Sequence, residues 1–151
     1  MLKVILYPLS LIYGVVVFFR NRFYDLGILK SYDFDIPVIS VGNITVGGTG
    51  KTPHVEYLIR LLKDDFKIAI LSRGYKRKSK NFVTADNLVK WQDIGDEPMQ
   101  YYNKFKNDNI VIAVDEKRTR GIKNLINLFN DIDVIFLDDA FQHRHVKSGL
   151  S

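Results

Sequence analysis

The stretch that most restricts this chain reads Ile36-Pro37-Val38-Ile39-Ser40-Val41, then Gly42-Asn43-Ile44-Thr45-Val46-Gly47-Gly48-Thr49-Gly50-Lys51-Thr52-Pro53. The first six residues are rich in β-branched side chains and predict a strand entered at Pro37. Val55, Leu58, Ile59 and Leu62 then recur at helical spacing, with Pro53 in the first turn, where a missing N–H costs nothing. A glycine-rich loop between a strand and a helix lets successive backbone N–H groups curve around an anion, and the helix N-terminus adds unpaired donors and a favourable dipole. The spacing predicts a phosphate loop formed by Thr45, Val46, Gly47, Gly48, Thr49, Gly50, Lys51 and Thr52. In it Lys51 reaches the β- and γ-phosphates, and the Thr52 hydroxyl ligates Mg²⁺. Thr45 occupies the position where the general pattern has its first glycine, so the loop is a variant. The bland alternative is a glycine turn that only starts a helix.

The rest of the chain repeats the alternation of strand and helix. Lys67-Ile68-Ala69-Ile70-Leu71, Ile110-Val111-Ile112-Ala113-Val114 and Val134-Ile135-Phe136-Leu137 read as strands, and Phe82-Val83-Thr84 as a short edge strand. Ile122, Leu125, Ile126 and Phe129 mark a helical face, and Met99, Tyr102 and Phe105 another. Short apolar strands separated by helices predict an α/β fold with a parallel sheet and flanking helices, of the phosphate-loop NTPase kind. Each polar motif follows the carboxyl end of a strand, the edge where open α/β sheets bind ligands. The sequence stops soon after the last apolar strand, without a closing helix, so the chain is expected to be the front part of something longer. Residues 1–30 are expected to form a separate apolar helical region ahead of a core spanning 31–151.

That leading region has Lys3, Arg20 and Arg22 and no acid. Val4 to Phe19 carries no charge, yet the run is shorter than the roughly 20 residues of a spanning helix. Pro8 and Ser10 interrupt it and place the expected helix start near Leu9. With Arg20, Arg22 and three tyrosines near its ends, it suits a helix lying in the interface of an anionic leaflet; a helix buried against the sheet is the alternative.

Charge narrows the function less than its placement does. There are 22 basic and 17 acidic residues, a net charge of +5, and no cysteine, which removes disulfides, thiolate metal sites and a cysteine nucleophile. The stretch from Arg73 to Lys80 is purely basic, whereas acids come in pairs: Asp64-Asp65, Asp96-Glu97, Asp115-Glu116 and Asp138-Asp139. A short basic loop with acidic pairs elsewhere suits phosphates held beside a divalent cation better than a nucleic-acid backbone, which asks for a longer basic stripe. Asp138, at a strand end, is placed to hold a Mg²⁺ water across from Thr52, although either acid of that pair could simply start a helix. Asp96 and Glu97 precede a predicted helix and could cap it, orient or deprotonate an attacking hydroxyl, or bind metal. His143 and His145 form a weak zinc signal; contacts to substrate or plain surface placement suit them better.

Taken in order, Leu71-Ser72-Arg73-Gly74-Tyr75, Gly95-Asp96-Glu97-Pro98, the variant phosphate loop and Leu137-Asp138-Asp139-Ala140-Phe141-Gln142-His143-Arg144 resemble the N-terminal half of the tetraacyldisaccharide 4′-kinase (lipid A 4′-kinase) family. The resemblance implies transfer of the ATP γ-phosphate, with Mg²⁺, to the 4′-hydroxyl of a lipid A disaccharide 1-phosphate. It places the enzyme peripherally on the cytoplasmic face of the bacterial inner membrane, with an anionic membrane surface and no nucleic acid as partner. It accounts for Thr45, since this family's loop carries threonine there. By the same resemblance Asp96 is the base, paired with a histidine of a C-terminal lobe, and Lys51 serves in catalysis. Thr52, Asp138, Asp139 and Glu97 lie on the metal side, and Arg73, Gln142 and His143 on the substrate side. Family members are about twice as long, so the isolated chain is expected to lack that lobe and to turn over little or not at all. Two other readings remain: a nucleotide-binding fragment without catalysis, and a phosphate-loop switch or partition-type ATPase.

Overall fold

The computed structural model describes residues 2–42, 51–138, 146–147 and 149. They divide into two compact units, residues 1–32 and 33–151.

The first unit is built on α1 (Leu2–Asp25). It begins at Leu2 rather than near Leu9, and Pro8 lies inside it. A proline removes one N–H from the ladder and crowds the preceding turn, a cost of about 3 kcal/mol, and here helical turns form on both sides of it. Leu11, Ile12, Tyr13, Val15, Val16, Phe18 and Phe19 are all exposed; at 100° per residue they point around the helix rather than along one stripe. Among the described residues no helix is long and apolar enough to cross a membrane.

The second unit is a sheet with helices on both faces. Its strands are β1 (Val38–Val41), β2 (Ile68–Ser72), β3 (Val83–Thr84), β4 (Ile110–Val114) and β5 (Val134–Asp138). Its helices are α2 (Lys51–Leu62), α3 (Trp91–Ile94), α4 (Asp96–Phe105) and α5 (Arg118–Leu128). The strand order is β1-β5-β2-β4-β3. Four strands are parallel, while β3 pairs antiparallel with β4 through Val83 opposite Val114 and Thr84 opposite Ala113. The sheet is therefore mixed at one edge rather than wholly parallel: β3 follows β2 through a loop too short for a crossover helix.

Alternation along the central strands builds two cores. Ala69, Leu71, Ala113, Ile135 and Leu137 face Ile122 and Leu125 of α5. Ile68, Ile70, Ile112, Val134 and Phe136 face Val55 and Ile59 of α2 and Tyr101 and Phe105 of α4. Every residue of β2 and β5 is buried, as strands covered on both faces must be. α5 lies so close to the sheet that a Cβ on Gly121 would come within 2.7 Å of Leu71 Cδ2.

Candidate active site

The carboxyl ends of β1, β5, β2 and β4 share one edge, and the pairing fixes who stands next to whom. Val41 of β1 is in register with Asp138 of β5, so Asp138 sits one strand spacing, about 4.8 Å, from the point where the chain leaves β1. Ser72 pairs with Val114, and the Asp115 N–H donates to the Ser72 carbonyl at 3.0 Å.

Asp138 is buried, and Tyr101 donates its phenolic proton to Asp138 Oδ2 at 3.4 Å. Tyr101 is fully buried, and its phenol lies near the Thr52 side chain and in the fields of Asp138 and Glu97. Burial first, and then the Asp138 carboxylate, push the Tyr101 phenol well above its ordinary value. Sequence reasoning assigned Tyr101 no role. Its signal was its place four residues after Glu97 on α4, which puts the two on one helical face. Three of the metal-side candidates, Thr52, Glu97 and Asp138, are thus among the groups that act on the Tyr101 phenol, Asp138 by a direct hydrogen bond. The Arg118 guanidinium, itself buried, donates to the Asp138 carbonyl and to the Asp115 carbonyl.

Asp96 and Glu97 open α4 as exposed first-turn acids. The N-cap is Gly95, so neither acid is the capping residue; both favour the helix through its dipole. Gly95 has φ +94°, and a Cβ there would come 2.9 Å from the Tyr75 carbonyl oxygen. Gly74 (φ +72°) meets it from the other side, with the Ile94 carbonyl 2.9 Å from where its own Cβ would be. This backbone contact brings the turn that carries exposed Arg73 against the start of the helix that carries Asp96. The Lys78 N–H donates to the Gln92 carbonyl at 2.6 Å, and Ser79 Oγ donates to the Asp93 carbonyl.

The basic stretch is not a uniform cationic face. Arg77 is nearly buried and bonds Glu116, the Asn81 carbonyl at 2.7 Å and Ser79 Oγ at 3.3 Å. Arg120 grips buried Asp115 with Nε and Nη2 at 2.9 and 2.8 Å and reaches Glu116 at 2.9 Å. The pair Asp115-Glu116 therefore holds arginines in place. α2 and α4 are tied by Glu56, which accepts from Gln100 at 3.1 Å and from Lys104 at 2.5 Å.

The donors fit a hard divalent cation. A hydroxyl and one carboxylate beside a phosphate site are the usual protein share of a Mg²⁺ shell, which phosphate oxygens and water complete. Among the described residues no group of three or more His, Asp or Glu forms a dedicated metal cage. Thr45, Val46, Gly47, Gly48, Thr49, Gly50, Asp139, Gln142 and His143, and the side chain of Lys51, lie outside the described residues.

The model of the tetraacyldisaccharide-1-P 4′-kinase family, LpxK, matches residues 2–151. The chain belongs to this family. A tetraacyldisaccharide 4′-kinase of Phocaeicola vulgatus is 60% identical over 148 residues, which cover 97% of this chain and 40% of that protein. One from Bacteroides thetaiotaomicron is 54% identical over 147 residues, covering 97% and 38%. The crystal structure of the "apo" form of LpxK from Aquifex aeolicus in complex with ATP superposes with a TM-score of 0.84 at 42% identity. It is covered over 47% of its length by 98% of this chain. The chain thus spans less than half of the length of the LpxK proteins it matches, and it shares its fold with the solved one.

Proposed function

We propose that the chain supplies the ATP-binding part of an LpxK-type kinase. That enzyme transfers the γ-phosphate of ATP to the 4′-hydroxyl of a tetraacyldisaccharide 1-phosphate in lipid A biosynthesis. The observation that carries this reading is buried Asp138 at the end of β5, in register with the end of the strand that leads into the glycine loop and met by the Tyr101 hydroxyl of α4 at 3.4 Å. Its support from outside the chain is the likeness to a family member crystallised with ATP.

In this reading the N–H groups of residues 45–52 cradle the phosphates and Lys51 offsets charge on the transferred phosphoryl group. Thr52 and Asp138 hold the metal, with Asp139 and Glu97 as further acids on that side. Bound Mg²⁺ supplies charge neutralisation at the phosphate oxygens. Asp96, exposed at the start of α4, accepts the proton of the 4′-hydroxyl, and Arg73, joined to it through the Gly74–Gly95 contact, meets an anionic group of the acceptor. Gln142 and His143 complete the acceptor side. In the same reading the exposed apolar side chains of α1, with Arg20 and Arg22, lie in the cytoplasmic face of the inner membrane, where an acylated substrate resides; their exposure supports it.

The test uses the chain continued behind Ser151 by the C-terminal portion of a family member, with labelled ATP and the lipid disaccharide 1-phosphate. The expected product carries label on the 4′-oxygen. Asp96→Asn should lower kcat roughly 10²–10⁴-fold, the range for a lost general base, with KM for ATP little changed. A variant with near-full kcat and a raised Mg²⁺ requirement would move Asp96 to the metal side.

A further inference from the structure

Residues 74–79 run along residues 92–95 and are held there by the backbone. The Lys78 N–H donates to the Gln92 carbonyl at 2.6 Å, Ser79 Oγ donates to the Asp93 carbonyl, and Gly74 and Gly95 meet in close contact. Within the turn the side chains divide. Arg77 is nearly buried on Glu116 and the Asn81 carbonyl, whereas Lys76, Lys78 and Lys80 are exposed. The two segments also expose aromatic rings: Tyr75 at 74% and, at the start of α3, Trp91 at 54%. Lys76 Nζ stands 5.3 Å from the centroid of the Tyr75 ring. The acids on the facing segment bind its own backbone, Asp86 accepting from the Leu88 and Val89 N–H groups and Asp93 from that of Lys90. Asp96 and Glu97 follow on α4, beyond Gly95.

We propose that this edge of the second unit, with Lys76, Lys78 and Lys80 and the rings of Tyr75 and Trp91, is a docking surface for anionic lipid headgroups. A phenol and an indole each combine an apolar body with a polar tip, which suits the boundary between headgroups and acyl chains. Lysines on flexible stems suit a fluid layer of phosphates that offers no fixed geometry; Arg77, whose planar fork matches a fixed partner, is bound to a carboxylate instead. The basic run is too short for the stripe that a nucleic-acid backbone asks for. The surface belongs to residues 33–151 and is separate from α1. Its purpose rests on the kinase reading above: Arg73 and Asp96 are the chain neighbours of Gly74 and Gly95, so a bilayer met here holds an acylated acceptor beside them.

Trp91 is the only tryptophan of the chain, so its emission reports this edge and not α1. The experiment titrates the 151-residue chain with vesicles of phosphatidylethanolamine and phosphatidylglycerol, part of the lipid carrying bromine near the headgroup. Trp91 emission should shift to shorter wavelength and be quenched. Vesicles of phosphatidylcholine, and glycerol 3-phosphate in solution, should do neither, which separates a lipid surface from a free phosphate. Lys76→Gln, Lys78→Gln and Lys80→Gln together should raise the lipid concentration for half-quenching roughly 100-fold, at about fivefold per basic side chain near an anionic surface. Added salt should act in the same direction. A chain that sediments with the anionic vesicles while Trp91 keeps its emission overturns this proposal and leaves the kinase reading and the role of α1 standing. So does an equal response to phosphatidylcholine, to glycerol 3-phosphate or to a second copy of the chain at rising protein concentration. No binding to either vesicle overturns this proposal and the membrane role of α1 together. Should the triple variant not fold, quenching in the unsubstituted chain decides by itself.

Discussion

Glu116 is an exposed-side acid with a depressed pKa, about 2 against an ordinary 4.5. Its own backbone N–H contributes most; burial, second in size, opposes it, and the Arg120 side chain, the Asn81 N–H and the charge of Arg77 add to the lowering. A carboxylate whose folded pKa lies below its unfolded one adds stability above the unfolded value and loses it as pH falls through the folded value. The window here runs from about 4.5 down to about 2. In that window the fall of the thermal midpoint with pH should be shallower in Glu116→Gln than in the unsubstituted protein. Equal slopes would show that the Arg77 and Arg120 contacts do not hold the ionised form. Neither this pairing nor the contact of Tyr101 with Asp138 is legible from residue order. Arg77 and Glu116 are 39 positions apart, and a tyrosine in a helix reads as core until a carboxylate is found at its hydroxyl.

At the scale of elements, the β-branched runs marked the strands of the parallel sheet, because a strand buried on both faces has little choice but Val, Ile, Leu and Ala. The loop after β1 lies outside the described residues, so its phosphate reading still rests on Gly47, Gly48, Gly50 and Lys51-Thr52 as a sequence pattern. α3 was not legible, being one turn long, and β3 revealed its antiparallel sense only through its register with β4. α1 extends through Pro8 because one lost N–H is affordable in a long helix. The contact between the 73–80 turn and α4 depends on two glycines with positive φ. Gly95→Ala should lower unfolding free energy by about 1–3 kcal/mol, read from the denaturant midpoint, since a Cβ would stand 2.9 Å from the Tyr75 carbonyl oxygen. A change under about 0.5 kcal/mol, the scatter of neutral surface substitutions, would mean that the two segments separate without loss.

For the whole molecule, the strand order makes the site. β5 lies between β1 and β2, so the last of the described strands delivers its terminal acid beside the end of β1. β2 brings the basic turn to the same edge, and α4 returns Glu97 and Tyr101 to the face where α2 holds Thr52. Thr52 and Asp138 are candidates of one kind in the sequence; only the topology brings the strand that ends in Asp138 beside the strand that leads toward Thr52. Charge follows the same logic. The net +5 is not spread evenly, because Arg77 and Arg120 are already paired with Asp115 and Glu116. Arg73 stands exposed at that edge.

The account's central claim is that this edge binds Mg²⁺-ATP through the loop that ends in Lys51 and Thr52. Calorimetry of ATP with Mg²⁺ on the 151-residue chain, beside Lys51→Ala, tests it most directly. The unsubstituted chain should bind one nucleotide, and Lys51→Ala should lose at least tenfold in affinity, the scale of a charge-assisted contact to phosphate. Equal affinities in the two folded proteins, or no binding by either, would contradict the claim.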